Sequence, residues 1–137
     1  MAGRYTADVE LIGFQLYNPA NGRFLFEYRP ADADLYPGKK RILGGHIEPG
    51  ETAEEAAYRE IWEELSIRPT GMEYICRAID LHGGRVIGFN LFGLSEWEGE
   101  LSNPEGKHMV WSPASSDGID PLDRWSMDMY SKMIGIR

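Results

Sequence analysis

Cysteine is almost missing from this chain. Cys76 stands alone, so no intramolecular disulfide can form, and a disulfide-built secreted scaffold is excluded. Positive charge is scarce as well: 14 Lys and Arg stand against 22 Asp and Glu, a net charge of -8. Without a basic surface to release counterions, a nucleic-acid polymer is excluded as partner. Small phosphorylated ligands are compatible if a cation offsets the repulsion. No apolar run approaches the ~18 residues of a membrane span, and no charged leader followed by an apolar stretch opens the chain. The expectation is a cytoplasmic protein with no membrane partner, and nothing in the pattern specifies an oligomeric state. Internal repeats and low-complexity segments are absent too. With 137 residues, 42% of them hydrophobic, the chain can bury one core, and residues 1–137 read as a single domain.

What is abundant is acid in one place. The stretch from Gly44 to Ile67, GGHIEPGETAEEAAYREIWEELSI, contains a helix from Ala53 to Leu65, because Ala53, Ala57, Ile61 and Leu65 form one apolar stripe. Thr52 and Glu55 have the spacing of a capping box. Glu54 and Glu55 suit the positive end of the helix dipole, but Glu60, Glu63 and Glu64 crowd the last two turns, where the dipole favours cations. Two carboxylates about 6 Å apart repel by roughly 2 to 3 kcal/mol at an effective dielectric near 20. A divalent cation compensates best, since Mg²⁺ and Mn²⁺ take carboxylate oxygens and keep positions open for water and phosphate. A solvated acidic face is the bland explanation of any charge run. The residues around this one decide against it.

Counting from Gly45, the chain reads five residues to Glu51, seven more to Arg59-Glu60-Ile61, one to Glu63-Glu64, one to Ser66 and Ile67. This resembles the Nudix box, G-x5-E-x7-R-E-U-x-E-E-x-G-U with U aliphatic, at every defined position except the second glycine, here Ser66. The resemblance implies a MutT-like Nudix hydrolase that cleaves a nucleoside diphosphate linked to another group, with Mg²⁺ or Mn²⁺ as cofactor. It implies that Glu60, Glu63 and Glu64 are the metal-binding and water-activating cluster, that the Gly44 carbonyl is a further metal ligand, and that Glu51 and Arg59 brace the loop against the helix. Arg59, beside three acids, is also better placed to orient and neutralise them than to bind substrate. Gly44-Gly45 reads as a strand-to-loop turn that lets a carbonyl approach a metal. At Ser66 the turn either takes another geometry or accepts strain of about 1 kcal/mol. Leu43 stands where many relatives have proline, which removes no ligand.

The remainder reads as strands over residues 8–17, 23–28, 72–80, 85–94 and 107–111, with Asn18–Gly22 and His82–Gly84 as hairpin turns. Trp125, Met129 and Met133 recur every four positions and suggest a second amphipathic helix over 123–134. Periodicity thus gives a mixed α/β domain, and the resemblance narrows it to an α/β/α sandwich with a mixed β-sheet and a catalytic loop-helix-loop.

Substrate contacts are expected from the cations Arg29, Lys39, Lys40 and Arg41. Arg29 resembles the phosphate-contacting arginine of MutT-like enzymes, and Arg41 is placed with it. The segment Trp97–Trp111 resembles the loop carrying an additional acid; Val110 replaces the glutamate some relatives have there, leaving Glu105 as catalytic acid or base and His108 as a substitute. Strand aromatics read as core. Trp97, Trp111 and Trp125 are better candidates for stacking on a base. The favoured substrate is a nucleoside triphosphate, a noncanonical or oxidised one included. The alternatives are nucleotide sugars, dinucleoside polyphosphates, a non-nucleotide diphosphate, or ligand binding without turnover.

Overall fold

The computed structural model describes residues 6–136, so the first five residues and the last of the expected 1–137 domain lie outside the description. In chain order the elements are β1 (Val9–Asn18), β2 (Arg23–Tyr28), β3 (Lys40–Arg41), β4 (Leu43–His46), α1 (Ala53–Leu65), β5 (Arg68–His82), β6 (Arg85–Glu98), β7 (Met109–Pro113) and α2 (Pro121–Ile134). The seven strands form a mixed sheet in the order β3-β2-β1-β6-β5, with β4 added to β1 and β7 to β2. β1 runs parallel to β6, with Leu11 opposite Phe89 and Phe14 opposite Phe92, and its other pairings are antiparallel.

β1 is apolar almost throughout because both of its faces are covered. Ile12, Phe14 and Leu16 point to one side, where they pack with Ala56, Ala57, Ile61 and Leu65 of α1. Leu11 points to the other, into a second core with Phe24, Phe26, Ile87, Leu91 and with Met127 and Tyr130 of α2. Helices on both faces of one mixed sheet make the expected α/β/α sandwich.

The ends of α1 are fixed as its sequence implies. The Glu55 amide donates to Thr52 Oγ1 at 3.1 Å while the Thr52 amide donates to Glu55 Oε1 at 2.8 Å. At the other end Ser66 adopts the left-handed conformation at φ 57, so the chain accepts strain where relatives place glycine.

Three expectations are corrected. First, Gly44-Gly45 is not a turn but part of β4, opposite Gly13 and Ile12. A Cβ at Gly44 would run into the Ile12 carbonyl, so glycine is required by close strand approach rather than by backbone freedom. Second, β5 begins at Arg68 rather than 72. Among the described residues β5 pairs only with β6, and it absorbs Pro69 and Gly71 as register shifts, which an edge strand tolerates. Third, the apolar stripe of α2 faces solvent: Trp125 and Met133 are 48% and 46% exposed. The buried face is Asp123, Ser126, Met127 and Tyr130, whose polar members are satisfied by partners on the sheet. The Gln15 amide donates to Ser126 Oγ, and Asp123 accepts from Arg41.

Candidate active site

α1 carries Glu60, Glu63 and Glu64 beside β4, and Arg59 ties them to the preceding loop. Arg59 Nε donates to Glu51 Oε2 at 2.6 Å and Nη2 to Glu51 Oε1 at 2.9 Å, while Nη2 also donates to the His46 carbonyl at 2.9 Å. Its Nη1 donates to Glu60 Oε1 at 2.8 Å and to Glu63 Oε2 at 3.2 Å. One guanidinium thus fixes the loop and offsets two of the crowded acids. The Arg59 hydrogen bonds hold Glu51 down at about 2, whereas burial raises Glu60 despite Arg59. The Glu60 carboxylate occupies the space a Cβ at Gly45 would need, so glycine there admits the acid.

Glu64 is fully buried, and burial pushes its carboxyl up to about 8 against the opposing pull of Lys107. Lys107 Nζ pairs with Glu64 Oε1, lies 3.3 Å from Glu27 Oε2, and is 3.9 Å from Glu105 Oε1. Burial alone would lower the Lys107 ammonium, but Glu64 and Glu27 outweigh it and raise it. Asn103 clasps the backbone that presents this lysine: its amide donates to the Lys107 carbonyl at 2.7 Å, and the Lys107 N–H donates to Asn103 Oδ1 at 3.0 Å.

Lys107 and Glu27 are the residues that sequence reasoning missed. Glu27 left a signal, since it is a carboxylate in the apolar run RFLFEY, and a charge buried in such a strand needs a partner. Glu105 is about half exposed beside Lys107. His108 turns its ring to Tyr28 at 4.8 Å.

Next to the acids, a cleft is lined by Arg29, Tyr36, Arg41, Gly44, Gly45 and Phe89. Arg29 donates to the Leu35 carbonyl and pairs with Glu27 at 3.3 Å. Arg41 is no part of a solvated cationic cluster. It is buried, donating through Nε and Nη2 to Asp123 at 2.8 and 3.1 Å, with its guanidinium 4.2 Å from the Tyr36 ring centre and Nη1 left without a partner. Burial raises Asp123 even though Arg41 opposes it. Tyr36 holds a left-handed backbone at φ 52, and its hydroxyl donates to Asp80 Oδ2 at 2.7 Å. The aromatic walls are therefore Tyr36 and Phe89; Trp97 and Trp111 instead pack against the α1 core, and Trp125 faces solvent. Cys76 is half-buried with its thiol raised by burial, as befits a packing residue.

Among the described residues, no three His, Cys, Asp or Glu side chains converge tightly enough to hold a metal ion in this arrangement. Arg59 and Lys107 hold the oxygens instead. The donor set nevertheless fits a hard cation. Every donor is oxygen, and Glu64 Oε2 is buried with no hydrogen-bond partner, a costly state unless a cation completes it.

A family model described as NUDIX domain matches residues 12–125. The chain is 33% identical over 91 residues to a CTP pyrophosphohydrolase of Escherichia coli K12, covering 66% of this chain and 67% of that protein. It is equally similar to the 8-oxo-dGTP diphosphatase of the same strain, covering 66% and 70%. The match spans only 34% of a nucleoside triphosphatase NudI from an Enterobacter species, at 48% identity over 48 residues. Among solved structures, the E. coli ORF135 protein superposes with a TM-score of 0.71 at 26% identity, over 92% of this chain and 90% of that one. A MutT protein from Methanosarcina mazei Go1 gives a TM-score of 0.76 over 96% and 99% at 16% identity, a likeness of fold.

Proposed function

The chain belongs to the Nudix family of hydrolases acting on phosphorus-containing anhydrides, and on that premise we propose that it converts a nucleoside triphosphate, a noncanonical or oxidised one included, and water to a nucleoside monophosphate and pyrophosphate. The observation that carries this reading is the buried, half-partnered Glu64 beside Glu60 and the cleft of Arg29, Arg41, Tyr36 and Phe89. The acids supply a place for a divalent cation and the cleft a place for a nucleotide. The relatives that act on CTP and 8-oxo-dGTP support a triphosphate substrate. A cytoplasmic place, where nucleotide pools are found, accords with it.

In this reading Glu60, Glu63 and Glu64, with the Gly44 carbonyl, hold Mg²⁺ or Mn²⁺. When bound, the cation supplies charge neutralisation of the phosphates and a lowered pKa for its water. Arg59, held by Glu51, keeps Glu60 and Glu63 in place. Arg29 meets a phosphate, and the free Nη1 of Arg41 donates to the ligand, with Tyr36 and Phe89 beside the base. A carboxylate of the cluster, with Glu105 as an additional acid, accepts the proton of the water that adds to phosphorus. The anhydride bond opposite the incoming water, between the α- and β-phosphorus, then breaks without a covalent enzyme intermediate, leaving nucleoside monophosphate and pyrophosphate.

The test is hydrolysis of a panel of ordinary and oxidised nucleoside triphosphates, nucleotide sugars, ADP-ribose and dinucleoside polyphosphates, with both products identified and Glu64→Gln as control. Mg²⁺-dependent release of pyrophosphate from a triphosphate, lost in the variant, is expected. Turnover confined to another member of the panel would reject the triphosphate. Nucleotide binding with no turnover would replace hydrolysis by a binding role.

A further inference from the structure

Lys107 is bound where a metal ligand should be free. Its ammonium lies on Glu64 Oε1 and 3.3 Å from Glu27 Oε2, and the Asn103 clasp fixes its backbone. Glu64 and Glu27 are both buried. A buried carboxylate requires a counter-charge, and in this arrangement Lys107 provides it for both.

We propose that Lys107 is a displaceable internal counter-cation: it neutralises Glu64 in the metal-free enzyme, and binding of a divalent metal drives it off Glu64 while Glu27 retains it. This rests on the metal-site reading above and concerns a residue outside the Nudix box. Two features make an exchange feasible. Glu27 gives the ammonium a second buried partner, so leaving Glu64 does not strand a bare charge. The lysine also borders an open cleft with Arg29, Glu105 and His108, which leaves room for a side chain with four rotatable bonds to move. A displaced Lys107 faces that cleft as a compact positive charge beside Arg29. Lys107 acts on the metal through Glu64, so it is a positioning residue.

The test uses the whole protein and Mg²⁺ alone. Calorimetric titration compares wild type, Lys107→Met and Glu64→Gln. Lys107→Met is expected to bind Mg²⁺ about tenfold tighter, because a positive charge no longer contests Glu64. Its melting temperature is expected to fall without metal and to recover only in part at saturating Mg²⁺, because the metal then neutralises Glu64 while Glu27 is left with Arg29 as its counter-charge. A purely structural lysine would lower the melting temperature equally with and without metal and leave affinity unchanged; that result overturns the proposal, as does weaker Mg²⁺ binding. Should Lys107→Met fail to fold, wild-type protein labelled with ¹³C at lysine Cε carries the test. The Lys107 signal, assigned by its loss in Lys107→Arg, should shift in step with Mg²⁺ saturation, and a stationary signal overturns the displacement. If wild type takes up no Mg²⁺ in a Glu64-dependent way, the metal site itself is wrong and this inference falls with it.

Discussion

Arg59 grips both oxygens of Glu51, at 2.6 and 2.9 Å, while its remaining nitrogen spans Glu60 and Glu63. The loop and the helix are therefore coupled through one planar group, and lysine cannot reproduce the fork. Arg59→Lys should lower kcat/KM about 10- to 100-fold, as losses of groups that orient metal ligands do. Steady-state kinetics at saturating Mg²⁺ would show the effect mainly in kcat; a change confined to KM would instead make Arg59 a substrate contact.

The same pair sets an acid limit. Arg59 holds Glu51 down at about 2, below its ordinary 4.5. A depressed carboxylate contributes stability that is complete above its unfolded pKa and is lost as pH falls through its folded one. Between pH 5 and 2, metal-free wild type should thus lose more stability than Glu51→Gln, in which the pair no longer titrates. Urea denaturation across that range measures it; parallel curves would refute the linkage.

Adjacent glycines should fail in different ways. At Gly45 the atoms nearest a Cβ are the end of the Glu60 side chain, whereas at Gly44 they are the backbone of Ile12 and Gly13. Gly45→Ala should change stability by less than about 1 kcal/mol yet reduce Mg²⁺ affinity and turnover by displacing Glu60. Gly44→Ala forces strands apart and should cost about 1 to 3 kcal/mol or more. Thermal unfolding beside Mg²⁺ titration separates the two.

Ser66 holds φ 57 at the end of α1, where a side chain is disfavoured by about 1 to 2 kcal/mol. Ser66→Gly should stabilise the protein by about 1 kcal/mol with turnover unchanged, read by denaturant unfolding and initial rates.

Asp123→Asn should be strongly destabilising, at about 3 to 5 kcal/mol, because it removes the buried carboxylate to which Arg41 donates twice and leaves Arg41 with Asp120 alone, at 3.9 Å. Arg41→Met combined with Asp123→Leu should recover much of the stability, while the nucleotide KM rises because the cleft loses Arg41. A double variant no more stable than Asp123→Asn would show that packing, rather than charge, sets the cost.

The readings that held were local ones. The helix Ala53–Leu65, its capping box and the strand Arg23–Tyr28 lie where their periodicity put them, because caps and face patterns act between residues within one turn or one strand. Those that moved depended on a distant partner. Gly44-Gly45 reads as a turn until β1 is beside it; Trp125, Met129 and Met133 read as a buried stripe until Arg41 and Gln15 claim the opposite face of α2 for Asp123 and Ser126.

The site divides in the same way. By itself the sequence determined the acids of α1, the Arg59–Glu51 brace and the family, since these groups lie within one loop and helix, where spacing fixes geometry. Only the tertiary structure decided what surrounds them. Glu27, Glu64 and Lys107 come from β2, α1 and the loop before β7, and Arg41 finds Asp123 across 82 positions of chain. Such contacts follow from which buried charge finds which counter-charge as the layers close, and no periodicity along the chain encodes that choice.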